Sequence, residues 1–252
     1  RDSHSVQLTE SGERLLLLAK RTLMDAVTCM DIVNDLKKML SGSLNIGITY
    51  TFAPILTETV IAFTKAHPAV KLNIFYKTME ELMSMLEKRE LDFVLSFKPS
   101  SVHPAIESHV LFDNNLSVIV NRYHPLAEKE KITLQDILPH GIAMPAKGLQ
   151  SRNEFDKLYP SAYNQMKVRM ELNEVNVLLD IVRGSSLITI LSEAVIHQTN
   201  GLVAIPFDVP DNIMVGCVHT ERGAYRKKAA EEFIRMLQES EAVRERAIQW
   251  LE

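Results

Sequence analysis

Cysteine is scarce in this 252-residue chain: Cys29 and Cys217 stand alone, with no CxxC and no Cys/His spacing around them. That excludes a disulfide scaffold and a thiolate-built zinc site, and leaves reduced thiols as the default. Long apolar runs are missing too. No stretch approaches the roughly 18 residues needed to cross a bilayer, and the apolar run at 15–19 is too short for the core of a secretory signal. There is no excess of positive charge. Lys and Arg number 28 against 32 Asp and Glu, a net charge of −4, so no global field draws the chain to nucleic acid. GxSxG, GxGxxG, Walker and HExxH motifs are all absent, which removes the commonest signatures of nucleophilic, dinucleotide, phosphoryl and zinc chemistry. No enzyme activity, metal or cofactor is expected. His103 and His109, flanking Pro104, read as loop histidines.

What is present is the balance of a globular protein, 46% hydrophobic and 24% charged. From Thr9, a plausible N-cap, to about residue 39 there is no Pro, and Gly12 is the only Gly. Leu16, Ala19, Leu23, Ala26, Met30 and Val33 recur in steps of three and four, the seam one helix presents to another. Such a rod is about 45 Å long, more than a helix covering its own core usually needs. We read it as a dimerisation helix, the alternative being packing on its own domain.

Ser41, Gly42 and Ser43 stop the helix, and the period then changes. Strands are predicted at 44–49, 70–76, 92–97 and 116–121, with helices at 52–67 and 79–89 between them. After the turn at His124 and Pro125 a second set follows: strands at 141–144, 168–172, 187–191 and 202–205, helices at 153–159, 175–183 and 193–198. A strand at 213–219 and a helix at 225–240 close the chain. Alternating strands and helices predict two α/β units with parallel sheets, joined by crossing strands at 116–121 and 213–219.

Several fragments, in order, resemble one family. The run from Val6 to Gly12, then Glu13-Arg-Leu-Leu, is similar to the passage where the winged helix-turn-helix of LysR-type transcriptional regulators gives way to their linker helix. Ser43 to Thr49, Ala62-Phe63 and His67-Pro68-Ala-Val70 resemble the opening of their effector domain, and Leu91-Asp92-Phe-Val94, His124-Pro-Leu-Ala127 and Gly201 to Pro206 its continuation. The resemblance implies two Rossmann-like lobes, as in type 2 periplasmic binding proteins, preceded by the long helix. It implies a remnant of the DNA-binding wing at 1–8, a linker helix at 9–42 and an effector-binding domain at 43–252. Lobe 1 would be 43–118 and 219–252, and lobe 2 would be 119–218. Arg89 departs from the pattern, standing where the family usually has Gly before Leu-Asp. If the chain is left-handed there, a non-Gly residue costs about 1 kcal/mol.

Candidate site residues follow from strand ends and helix starts. Thr49, Tyr50 and Thr51 sit where the first strand hands over to a helix with Pro54 in its first turn. Free amides there would attract an anion, or the hydroxyls would simply cap the helix; the resemblance favours the ligand. Lys98, Pro99 and Ser100, then Lys147, Gly148, Gln150 and Ser151, and finally Asn173 and Glu174 would face the same cleft. The lysines could counter an anion or be ordinary solvated charges, whereas Glu174 works against an anion. The expected protein is the sensing and oligomerisation region of a cytoplasmic bacterial regulator. It would bind a small anionic metabolite, form a homodimer or homotetramer, and touch promoter DNA only through a segment ahead of Arg1, with no membrane partner. A transporter's solute-binding protein, which has the same two-lobed cleft, is the alternative.

Overall fold

The computed structural model describes residues 7–36, 40–99, 104–196, 201–210 and 212–248. Helix α1 (Glu10–Leu36) opens the described chain, and the Thr9 hydroxyl accepts from the Gly12 amide at 3.1 Å, capping it as the sequence predicts. The first unit is β1 (Gly42–Ile48), α2 (Ala53–Ala66), β2 (Val70–Tyr76), α3 (Met79–Glu87), β3 (Phe93–Phe97) and β4 (Ile106–Asn114). The second is β5 (Leu116–Asn121), the short α4 (Leu134–Ile137), β6 (Gly141–Pro145), α5 (Gln150–Leu158), β7 (Lys167–Leu172), α6 (Val175–Arg183), β8 (Thr189–Ser192) and β9 (Leu202–Pro206). Strand β10 (Met214–Glu221), α7 (Lys228–Glu239) and α8 (Glu241–Ile248) return to the first unit.

The two units share one plan. The first sheet runs β2-β1-β3-β10-β4, with β1 parallel to β2 and β3, and β10 antiparallel to β3 and β4. In the second, β6 and β7 are parallel, β5 is antiparallel to β8 and β9, and a bridge from Ile142 to Ile188 joins the two pieces. Its order is thus β7-β6-β8-β5-β9. Strands β5 and β10 hold equivalent places, each entering from the other lobe. Both lie wholly within a sheet, so the expected boundaries at 118/119 and 218/219 cut through strands. The chain passes between sheets at Asn115 and again after β9. Asn212 ties the two passages together, accepting from the Leu116 amide at 2.9 Å and donating to the carbonyls of Leu116 and Phe207 at 2.9 and 3.1 Å.

Alternation explains β1: Leu44, Ile46 and Ile48 are fully buried on one face. Phe63, Phe93 and Phe233 pack as neighbouring rings beneath this sheet. In α6 the buried Val175, Leu178, Leu179 and Val182 form the helical stripe that the sequence shows. Two elements depart from the reading. Strand β4 was expected as loop and carries His109, while His103 lies outside the described residues. The helix at 193–198 is a 3-10 turn over Glu193–Ile196, with 197–200 outside the description.

Helix α3 ends as the Arg89 departure implies. Arg89 takes φ 57°, a left-handed conformation costing about 1 kcal/mol for a non-Gly residue. Its guanidinium bonds Glu221 of β10 at 2.8 Å and Asp25 of α1 at 3.0 Å. Lys227 repeats the pattern, with Asp31 of α1 at 3.2 Å and Asp92 at 3.1 Å. Burial works against the Lys227 charge, but the two carboxylates outweigh it and hold its pKa above the ordinary value. The same side of α1 is half-buried at Met24, Thr28 and Asp31. The seam residues Leu16, Ala19, Leu23, Ala26, Met30 and Val33 are exposed, Leu23 at 68% and Met30 at 67%. The helix therefore rests on its own domain by one side and leaves the seam bare.

Candidate functional site

The ends of the parallel strands of both sheets meet across the lobe boundary. From the first lobe come Thr49, Tyr50 and Thr51, followed by Lys77, Thr78 and Met79 at the start of α3. From the second come Gly148, Leu149, Gln150 and Ser151 at the start of α5, with Val175 and Leu191. Together they enclose an inner chamber of only about 10 Å³, room for one water at most. Beyond it lies an outer groove of about 990 Å³ that includes Phe97, Lys98, Pro99, Gly148 and Gln150 in its walls.

Local chemistry accounts for the wall. Pro54 stands in the first turn of α2, where no amide hydrogen is needed. Thr49 and Thr51 are buried, yet neither the 3-10 turn at Tyr50–Phe52 nor α2 has a side-chain cap, and the two hydroxyls lie 3.5 Å apart. They are not committed to capping. Thr78 does cap α3, in a reciprocal box with Glu81. Its hydroxyl, its amide and Lys77 hold the Glu81 carboxylate down to about 2. Tyr50 stacks on Tyr76 at 5.8 Å and packs against the second-lobe cluster containing Ile119 and Val175.

The second-lobe wall is anchored from behind. Arg152, 2% exposed, bonds Asp156 at 2.9 Å, Glu171 at 3.2 Å and the Pro145 carbonyl at 3.3 Å, and lies 4.5 Å from the centre of the Tyr163 ring. The buried Ser151 hydroxyl accepts from the Ser192 amide at 3.1 Å, tying α5 to β8. Gln150 reaches the other lobe: its carbonyl accepts from the Phe97 amide at 3.2 Å and its amide donates to the Phe97 carbonyl at 3.1 Å.

Thr49, Tyr50, Thr51, Gly148, Gln150 and Ser151 thus come together in the chamber, while Lys98 and Pro99 line the outer groove. Ser100 lies outside the described residues. Three expectations change. Lys147 is exposed and lines neither cavity, and Asn173 is likewise off both. Glu174 caps α6, its carboxylate accepting from the Val177 amide at 2.8 Å and from Asn176 at 3.1 Å, so it is committed to a helix. Thr78 and Met79 were missed. The sequence Thr-x-x-Glu at 78–81 marks a helix start, and strand-end geometry could have placed it in the cleft.

Residues 37–242 match the LysR substrate binding domain. The chain belongs to that family. Regulators of the LysR type agree in sequence: the HTH-type transcriptional regulator cbl of Escherichia coli (strain K12) is 28% identical over 153 residues, 60% of this chain and 48% of cbl. The HTH-type transcriptional activator CmpR of Synechocystis sp. is 23% identical over 202 residues, 79% of this chain and 66% of CmpR. The chain spans about half the length of the first and two thirds of the second. The Synechocystis PCC6803 CcmR regulatory domain, in complex with 2-PG, has a TM-score of 0.68 at 20% identity, covering 79% of this chain and 97% of that one. The effector binding domain of QuiR, in complex with shikimate, has a TM-score of 0.64 at 21% identity, covering 79% and 96%. The fold of this LysR domain is therefore the two-lobed, type 2 periplasmic-binding-protein-like one. The relatives are transcriptional regulators, not enzymes or transport receptors. Among the described residues no helix is long and apolar enough to cross a membrane.

Proposed function

We propose that this LysR domain is the ligand-sensing and oligomerisation region of a cytoplasmic bacterial transcriptional regulator, and that a small metabolite binds between its lobes. One observation carries the reading: two buried threonine hydroxyls without a capping role face the start of α5 across the lobe boundary. Oriented donors of this kind bind a small polar molecule without a fixed charge being desolvated. Lys98 on the outer groove favours an anion. The CcmR and QuiR domains, carrying 2-PG and shikimate, support a ligand of that size. Ligand uptake requires the lobes to part and close about the two passages joined by Asn212, a rigid-body motion.

Native mass spectrometry against a metabolite library reports ligand and subunit number together. With the ligand in hand, Thr51→Val keeps the shape and removes a hydroxyl. Calorimetry is expected to show affinity lowered by about 1 kcal/mol, roughly fivefold. Unchanged affinity in both Thr49→Val and Thr51→Val, or a ligand bound outside the cleft, refutes the assignment.

The bare seam of α1 supports pairing with a second copy of the chain. Leu23→Glu places a charge in that contact at a cost of a few kcal/mol. Sedimentation equilibrium is expected to show a dimer or larger species for the unmodified chain and a shift toward monomer for the variant. A stable monomer at micromolar concentration in the unmodified chain contradicts this role.

A further inference from the structure

Gln150 lines both the inner chamber and the outer groove, as do Thr78, Met79 and Gly148. The Gln150 carboxamide does what a neighbouring strand would do. Strand β1 pairs with β3 as far as Ile48 opposite Leu95, and the Thr49 amide donates to the Leu95 carbonyl at 3.1 Å. Past that point β1 has turned away, and Gln150, from the other lobe, bonds both main-chain groups of Phe97, whose carbonyl also accepts from the Ser96 hydroxyl at 3.2 Å. Its second amide hydrogen points at the Met79 sulfur, 3.1 Å from the nitrogen. One side chain therefore extends the hydrogen bonding of the sheet edge and joins the lobes.

We propose that Gln150 is a built-in stand-in for the ligand, and that the ligand is a molecule carrying an acceptor and a donor side by side, as a carboxamide or an α-hydroxy acid does. The proposal rests on the cleft being the effector site. Phe97 presents an N–H and a C=O, so a replacement for Gln150 must accept from one and donate to the other; a plain carboxylate can only accept. A matching molecule takes over the Phe97 pair and displaces Gln150 from it. A mismatched one leaves the Phe97 carbonyl with the Ser96 hydroxyl but one donor fewer than Gln150 provides, which penalises it relative to a matching molecule.

The test is chemical rescue, read by amide hydrogen exchange of the full chain in NMR. Gln150→Ala is expected to speed exchange at Phe97 by about tenfold or more, with Leu95 unchanged as the control for folding. Acetamide or glycolate at high millimolar concentration then restores protection in this variant, and acetate, which has no donor beside its carboxylate, does not. Gln150→Glu keeps an acceptor but, like acetate, brings no donor to the Phe97 carbonyl, and is expected to leave Phe97 exchange close to that of Gln150→Ala. Unchanged exchange in Gln150→Ala, rescue by acetate equal to the others, or rescue by neither acetamide nor glycolate overturns the proposal. The rescue involves no metabolite, so it can succeed even if the metabolite found by mass spectrometry binds elsewhere, and the two failures are distinguishable.

Discussion

Acidification from pH 7 to pH 4.5 is expected to remove about 2–3 kcal/mol of folding stability, chiefly through His219. This side chain is fully buried in β10. Its Nδ1 lies 2.8 Å from the Ser108 hydroxyl on β4 and its Nε2 3.3 Å from the Ser96 carbonyl on β3. The pairing fits a neutral ring that donates from Nε2 and accepts at Nδ1. Burial pushes its pKa down to about 4, outweighing the backbone carbonyls that favour the charged form. The unfolded chain takes up a proton near pH 6.5 and the folded one only near 4. Between those values the unfolded state holds more protons, and stability falls as pH falls. His124, lowered by burial and then by His140, adds in the same direction, while Asp113, raised by burial, opposes it. Glu81 and Asp136, held down at about 2, begin to lose their contribution as pH falls through the ordinary carboxylate range, and so add in the same direction at the acid end of this window. Urea titrations at pH 7.0 and 4.5 measure the loss. His219→Gln is expected to start less stable and to lose much less on acidification; an equal loss in both proteins refutes the assignment.

Neutralising both carboxylates around Arg152, with Asp156→Asn and Glu171→Gln together, is expected to destabilise the chain by about 3 kcal/mol. The guanidinium is buried and keeps its charge, so the double variant leaves a cation with only neutral acceptors and the Tyr163 ring. Removing the cation as well, by adding Arg152→Met, is expected to recover much of that loss. The double variant shifts the melting midpoint down by roughly 6–12 °C for a chain of this size, and the triple variant brings it partly back. A triple variant as unstable as the double would show that Arg152 acts by packing alone. Gln150 and Ser151 immediately precede Arg152, so the double variant also loosens the second-lobe wall of the cleft.

Much of the architecture was readable because each element carries its own period. Leu44, Ile46 and Ile48 alternate, and Val175, Leu178, Leu179 and Val182 follow the helical stripe, so both elements emerge from local sequence. Strand β4 did not. Its stretch from Glu107 to Val110 is exposed or half-buried, because the strand lies at the sheet edge and is held by β10, about a hundred residues away. Ser240, extended at ψ 148°, separates α7 from α8 where the sequence suggested one helix ending at that residue. In the site, Thr49 to Thr51 and Gly148 to Ser151 were legible as strand ends. Asn173 and Glu174 misled, because a carboxylate before a helix looks the same whether it faces a cleft or caps its own amides. The pairing of Gln150 with Phe97 spans 53 residues and two lobes, and no local pattern encodes it.

The contacts of Arg89 and Lys227 with α1 make that helix a lever. Asp25 and Asp31 are gripped about 9 Å apart along the axis, and Glu10 lies about 22 Å beyond the first grip. A rod held at two such points turns when one grip slides past the other, and its free end travels about two and a half times as far. One grip rests on Glu221 at the end of β10, the strand that returns from the second lobe, and the other on Asp92 at the start of β3. A shear of 1 Å between those two strand ends would therefore swing the start of α1 by roughly 2.5 Å, a mechanical gain obtained from the placement of six charged side chains.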